Sequence, residues 1–349
     1  MKIIKQAKYF FTSVMFLGMI FDSAAQDATF SQYYASALYL NPAMTGTQPY
    51  LTFSSNNRTQ WRSIVIPYVT NQISLIAPIY TKDVRRNHLG GIGFSFFNDK
   101  AGESNFKTNG FNINAAYNLP LTASRSQVIT FGVQGGFIQK SIDFTNLQWG
   151  QQFNPYIGVQ AMTVQDQSNI KPNVLYPDIS AGVMYNFNSS KDYTTTGFSG
   201  YAGLAAYHIN KPNESMVRSI NNSLPILYKA HLGFEVKAGK RINISPNALF
   251  VQQNNLQQLN GGMYLTYLFP GQTKAFAPTY VVFGTWYRLK DAFIFSTGFG
   301  NDKYTLGFSY DFNTSSLRYN TQGRGAYEIS FSIRRVKANA ASIFHTPRI

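Results

Sequence analysis

The chain has 349 residues, no cysteine, 13% charged and 16% aromatic side chains, and a formal net charge of +15. Soluble domains carry about 25% charged residues, so the composition points away from an ordinary soluble fold, and the missing cysteine excludes a lipoprotein anchor, disulfides and thiolate metal sites or nucleophiles. A mean hydropathy of -0.18, with no apolar run of about 20 residues beyond the N-terminus, also excludes a bundle of membrane-spanning helices.

Residues 1–25 have the layout of a secretory signal peptide. Lys2, Lys5 and Lys8 precede a mostly apolar stretch from Phe10 to Phe21, and Ser23-Ala24-Ala25 supplies the small residues of a cleavage site, which predicts Gln26 as the new N-terminus. Export removes the chain from the cytoplasm, so nucleic acid is not an expected partner despite the basic balance. The cations are scattered, densest at Arg85-Arg86, Lys240-Arg241 and Arg334-Arg335. They suit a rim facing lipid phosphates or an acidic partner, and equally a set of solvated loop charges.

Residues 26–49 form an N-terminal segment. Phe30, Tyr33, Tyr34 and Leu38 recur at spacings suited to one short helical face. Asn41-Pro42 stops that helix, because the residue before proline is pushed out of the helical region. Ahead of a first strand, such an element either enters a barrel lumen and blocks it or remains a loosely ordered periplasmic lead.

From residue 50 to 335 the dominant period is two, the strand signal. Ile129, Phe131, Val133 and Phe137 alternate with Thr130, Gly132, Gln134 and Gly136; Phe308, Tyr310 and Phe312 alternate with Gly307, Ser309 and Asp311. Fourteen such segments are predicted, at 50–62, 69–80, 89–98, 105–118, 127–140, 174–187, 198–209, 226–237, 241–252, 258–268, 279–289, 291–299, 303–313 and 325–335. Most have the length of tilted transmembrane strands, about 9–11 residues or more, rather than the roughly 5–6 of soluble sheets. The polar face is mainly Gly, Ser, Thr, Asn and Gln, with a few charges such as Lys229, His231 and Glu235, which read as a satisfied polar interior. The fold expected is therefore all-β: an up-and-down antiparallel transmembrane barrel of about fourteen strands, with outer-membrane lipid against its apolar face. Tyr50, Trp61, Tyr80, Tyr117, Tyr267 and Trp286, near strand ends, fit interfacial girdles. With a periplasmic N-terminus, the long connections 141–173 and 210–225 face outward, and 336–349 is a periplasmic tail. The connections 188–197 and 269–278 are longer, and that near 290 shorter, than this arrangement prefers.

Several motifs carry a family resemblance. Gln26-Asp27-Ala28-Thr29-Phe30-Ser31-Gln32-Tyr33-Tyr34 is followed by Leu40-Asn41-Pro42-Ala43-Met44-Thr45-Gly46. Further along come Asn57-Arg58-Thr59-Gln60-Trp61, Asp143-Phe144-Thr145-Asn146-Leu147, His208-Ile209-Asn210-Lys211-Pro212-Asn213 and Gly325-Ala326-Tyr327-Glu328-Ile329. In these the chain resembles the PorP/SprF family of the type IX secretion system of Bacteroidetes. The resemblance implies an outer-membrane barrel that supports export or surface attachment of proteins with a C-terminal sorting domain, gliding adhesins among them. It also implies partners in the periplasmic ring or motor of that machine. Phe30, Gln32, Tyr33, Asn41, Pro42, Asp143, Phe144, His208, Asn210 and Pro212 are the candidate plug or partner contacts. Arg334-Arg335 and fourteen further residues after the last strand depart from a barrel that finishes on an aromatic strand residue.

The sequence carries no recognisable catalytic constellation. The four histidines, His88, His208, His231 and His345, form no H-E-x-x-H, there is no Gly-x-Ser-x-Gly, and the sparse carboxylates offer no pair. No cofactor or metal is expected. Gly90-Gly91-Ile92-Gly93 reads as close backbone packing in a strand rather than as a phosphate loop. The alternative function is a porin-like or hatch-gated channel for small solutes, since Asn41-Pro42-Ala43 also resembles the N-terminal hatch of FadL-type transporters of hydrophobic compounds.

Overall fold

The structure, a computed structural model, describes residues 29–335 apart from 34, 64–65, 82–87, 103–104, 144–152, 160–168, 189–197 and 271–276. The signal peptide predicted at 1–25, Tyr34, Phe144 and the tail 336–349 lie outside the described residues.

Fourteen strands form one closed antiparallel barrel. They are β1 (Leu51–Gln60), β2 (Tyr68–Tyr80), β3 (His88–Ala101), β4 (Phe106–Pro120), β5 (Gln127–Ser141), β6 (Asn173–Asn188) and β7 (Phe198–Tyr207). Then follow β8 (Leu227–Lys237), β9 (Ile242–Gln253), β10 (Leu256–Leu268), β11 (Tyr280–Arg288), β12 (Ala292–Gly300), β13 (Tyr304–Asn313) and β14 (Arg324–Arg335). Each strand pairs with its sequence neighbour, and β1 closes on β14 in a register that sets Arg58 opposite Glu328. Closure leaves no strand with an unpaired edge, the condition for a sheet to sit in hydrocarbon.

The distribution of side chains is inverted relative to a soluble protein. On β5, Phe131, Val133 and Phe137 are more than half exposed, while Thr130 and Gln134 on the opposite face are buried. The same holds on β13, where Phe308 and Phe312 face out and Ser309 and Asp311 are fully enclosed. The apolar exterior meets lipid and the polar interior is satisfied from within, the pattern of an outer-membrane barrel.

The connections divide the two ends. The end bearing 142–172 and 208–226 is the long-loop end, yet the connections 254–255 and 289–291 on its other side have only two and three residues. The two long loops lie against each other. Ile170 and Val217 form an antiparallel bridge, the Lys171 amide donates to the Met216 carbonyl at 2.7 Å, and the Arg218 amide to that of Asn169 at 2.9 Å. They build a one-sided wall over β5–β8. A barrel of about eight strands is filled by its own side chains, while one of roughly 16–18 leaves an aqueous channel. Fourteen strands leave a lumen that needs another occupant.

Candidate functional site

The occupant is residues 29–50. Gln32, Leu38, Leu40, Asn41, Ala43, Met44 and Thr45 are all at most 3% exposed, and the segment meets β1, β4–β8, β11, β13 and β14 through hydrogen bonds or close packing. The segment is a plug, threaded from the long-loop end at Thr29 to the opposite end at Tyr50.

Its first anchor is electrostatic. Glu328 on β14 accepts from the backbone amides of Ser31 and Gln32 at 2.7 and 2.9 Å. Arg58 on β1 pairs with Glu328 at 3.2 Å and with Asp311 on β13 at 2.8 Å. Arg288 on β11 reaches Asp311 at 3.3 Å and also binds Asp291 at 3.0 Å. The Ser31 hydroxyl donates to Asp311 at 2.8 Å and accepts from both guanidinium groups. Two cations and two carboxylates on four strands thus neutralise one another around two plug residues. Such a cluster persists out of water because every charge has a partner. Gln32 continues the anchor, donating to the Glu328 carbonyl at 3.0 Å and accepting from the Ser330 hydroxyl at 2.7 Å.

The chain then crosses the lumen. Phe30 stacks edge-on against Tyr39, and Tyr33 against Trp286, whose centroid lies 5.2 Å away. The predicted helical face is not formed. The helix is one turn, α1 (Ala37–Leu40), and Phe30 and Tyr33 precede it. Aromatic contacts, within the plug for Phe30 and with the wall for Tyr33, place these rings rather than helical periodicity. Trp286 is corrected with them: it is 2% exposed and faces inward, on the same side of β11 as Arg288, and is no part of a girdle. Tyr117 is 55% exposed on the outer face, as a girdle residue must be. On the far side Lys229 Nζ donates to the Tyr39 carbonyl at 2.6 Å and lies 4.1 Å above the Tyr39 ring, while the Tyr207 hydroxyl donates to the Leu38 carbonyl at 3.1 Å.

The Asn41-Pro42 step performs the stop expected of it. Asn41 is extended at φ -159° and ψ 126°, and a 3-10 turn over Pro42–Gly46 follows. Asn41 is also the central rivet. Its Oδ1 accepts from the Ala43 amide at 2.9 Å, and its Nδ2 faces the Val183 and Leu204 carbonyls at 3.2 Å each and shares a 3.0 Å hydrogen bond with His231. Close approach here requires glycine. A Cβ on Gly132 would fall on the Pro42–Ala43 backbone, and one on Gly182 on the Asn41 side chain. Gly91 and Gly93 of the predicted glycine run make room in the same way for Thr45. At the lower end the Asn118 Nδ2 donates to the Gly46 carbonyl at 2.8 Å.

The predicted site residues therefore divide. Phe30, Gln32, Tyr33, Asn41 and Pro42 come together in the plug. Asp143 is exposed at the start of a long loop. His208, Asn210 and Pro212 brace the wall: His208 Nδ1 meets Asp178 at 2.6 Å, Asn210 Nδ2 donates to the Pro177 carbonyl at 2.8 Å, and the Pro212 carbonyl accepts from the Leu224 amide at 2.9 Å. Arg58, Arg288, Asp311 and Glu328 were not among the candidates. Their signal was a charge on the inward parity of a long strand, which alternation marks but does not connect to residues 31–32.

The chain matches the family described as type IX secretion system membrane protein PorP/SprF over residues 22–333. It belongs to that family. No curated protein sequence matches the chain. Among solved structures, the CymD monoaromatic hydrocarbon channel is 13% identical at a TM-score of 0.46, covering 92% of this chain and 97% of that one. The Ralstonia pickettii toluene transporter TbuX is 11% identical at 0.45, covering 86% and 94%. KdgM porin is 6% identical at 0.38, covering 82% and 100%. These resemblances are to barrels only. PorP/SprF membership, together with a closed barrel whose exterior is apolar, locates the protein in the outer membrane.

Proposed function

We propose that this PorP/SprF protein is a plugged docking barrel of the type IX machine, supporting export or surface attachment of cargo such as gliding adhesins by contact rather than by conduction. The observation that carries this reading is the plug, fastened to at least nine strands by buried hydrogen bonds, several of them to charged groups, and by close packing. A lumen closed in this way leaves the two rims as the working surfaces. In this reading the long-loop end faces the exterior and meets cargo through 142–172 and 208–226. The short-turn end meets the periplasmic ring or motor components. Residues 1–25 are the signal peptide, so N-terminal sequencing of the mature protein should begin at Gln26.

Deletion of the gene should abolish surface display of a co-encoded large adhesin, measured by antibody labelling of intact cells. Display at the wild-type level would reject the proposal. Loss of display that persists after complementation with a Gly132→Val variant would assign the role to the plug region.

One observation favours a second reading, a hatch-gated path for small apolar solutes. Phe30, Tyr33, Leu40, Leu249, Val251 and Leu256 line a small apolar cavity of about 30 Å³ between the plug and β8–β10. That reading predicts uptake of a radiolabelled aromatic hydrocarbon by liposomes carrying the pure protein; impermeable liposomes favour docking.

A further inference from the structure

The outward surface of β3 and β4 changes character toward the long-loop end. Its register partners run Ile92–Ala115, Phe94–Ile113, Phe96–Phe111, Asn98–Asn109 and Lys100–Lys107. Alternation fixes their direction, since Asp99 and Thr108, between the last two levels, line the lumen. Three levels are apolar, with Phe94 and Phe111 packed edge-on at 4.6 Å. An amide level and a cationic level follow. On a strand tilted near 40° these two differ in height by about 5 Å, within the roughly 5–8 Å of headgroup region outside the hydrocarbon. We propose that this face binds the phosphorylated headgroup of a membrane lipid, with the acyl chains against the phenylalanines. The inference rests on the barrel lying in a bilayer and not on the secretion reading.

The cationic level calls for an anion. Like charges directly opposite each other destabilise an antiparallel pair, and Lys100 and Lys107 are opposite each other. Their register neighbours on β2 and β5, Val69 and Ser141, bring no charge. Neither lysine has an ion pair or hydrogen bond among the described residues. Asp99 faces the lumen, where it accepts from the Thr70 hydroxyl. Glu103, in the intervening hairpin, lies outside the described residues and is one acid against two cations. A phosphate between the two ammonium groups replaces repulsion with charge-assisted contacts.

The amide level ties that anion to a lipid. Asn57, Asn71, Asn98, Asn109 and Gln139 are successive register partners across the outer face of β1–β5. Asn57 donates to Asn71 and Asn98 to Asn109, each at 2.6 Å. The row extends about 19 Å across the sheet and offers donors and acceptors where headgroup hydroxyls and ester carbonyls lie. Below it Phe94, Phe111 and Ile113 are 36%, 42% and 56% exposed. A free phosphate uses the lysines alone. A phosphate carried through a polar linkage on apolar chains meets all three levels.

The test is native mass spectrometry of the full-length protein in detergent, titrated with dimyristoyl phosphatidic acid, with dimyristoylglycerol and with inorganic phosphate. Phosphatidic acid should bind roughly tenfold or more tightly than the diacylglycerol, and excess inorganic phosphate should not displace it. Lys100→Gln with Lys107→Gln should weaken that binding roughly tenfold. Lys240→Gln with Arg241→Gln, a basic pair at the opposite rim, should leave it unchanged. Equal binding of the two lipids, displacement by phosphate alone, no loss from the first double variant, or equal loss from both would overturn the proposal.

Discussion

At the residue scale, the plug is held by a few enclosed polar groups whose removal has calculable consequences. Arg58 is the only cation in contact with Glu328 within the described residues, and both are at most 1% exposed. Arg58→Ala should therefore strand the Glu328 carboxylate, at a cost of about 3–5 kcal/mol. Urea unfolding in liposomes should show it as a lowered midpoint; an unchanged midpoint would mean that the cluster does not bear on stability. Asn41→Leu presents a different case, since Nδ2 faces two strand carbonyls and His231 at once. Its loss should cost about 1–3 kcal/mol and make the plug accessible to protease before the barrel unfolds. Protease resistance equal to wild type would contradict the role of Asn41 as a rivet.

At the element scale, the strands were legible and the plug was only partly so. Every one of the fourteen segments predicted from alternation lies within three residues of its strand. The reason is physical: a strand with lipid on one side and a filled lumen on the other writes both environments into adjacent residues. The plug has walls all round it, so no polar face marks its secondary structure. Its aromatic spacing suggested a longer helix than the single turn of α1, because rings reaching for Tyr39 and Trp286 mimic helical repetition. The Asn41-Pro42 stop, a backbone constraint independent of surroundings, forms where the sequence places it. The partner of each lumen charge was illegible, since Ser31 and Asp311 are 280 residues apart. The glycines supply a prediction at this scale. Gly132→Val should displace the 3-10 turn from the wall while leaving β5 able to pair, because its Cβ meets plug backbone rather than a neighbouring strand. Heat-modifiable migration on gels should persist, whereas protease cleavage within 29–50 should appear; full loss of the folded barrel would refute the assignment.

At the scale of the whole molecule, the thread of the plug sets a topology that the barrel alone would not. An even number of strands returns both barrel ends to one rim, at Leu51 and Arg335. Yet Thr29 lines one cavity with Leu256 and Gln258, at the opposite rim with the long loops. An epitope inserted just ahead of Thr29 should consequently be labelled by antibody on intact cells if the long loops face outward. An epitope placed after Arg335 should require outer-membrane permeabilisation. The reverse result would invert the orientation, and labelling of both on intact cells would contradict the threaded plug.

The most direct measurement is electrical conductance across a planar bilayer, comparing the intact protein with a variant lacking residues 30–46. An enclosed, fully fastened plug predicts a silent intact barrel and discrete conductance steps once those residues are gone. Steps of the same size from both proteins would show that the lumen is open with its plug present, and the account of a docking barrel would fail.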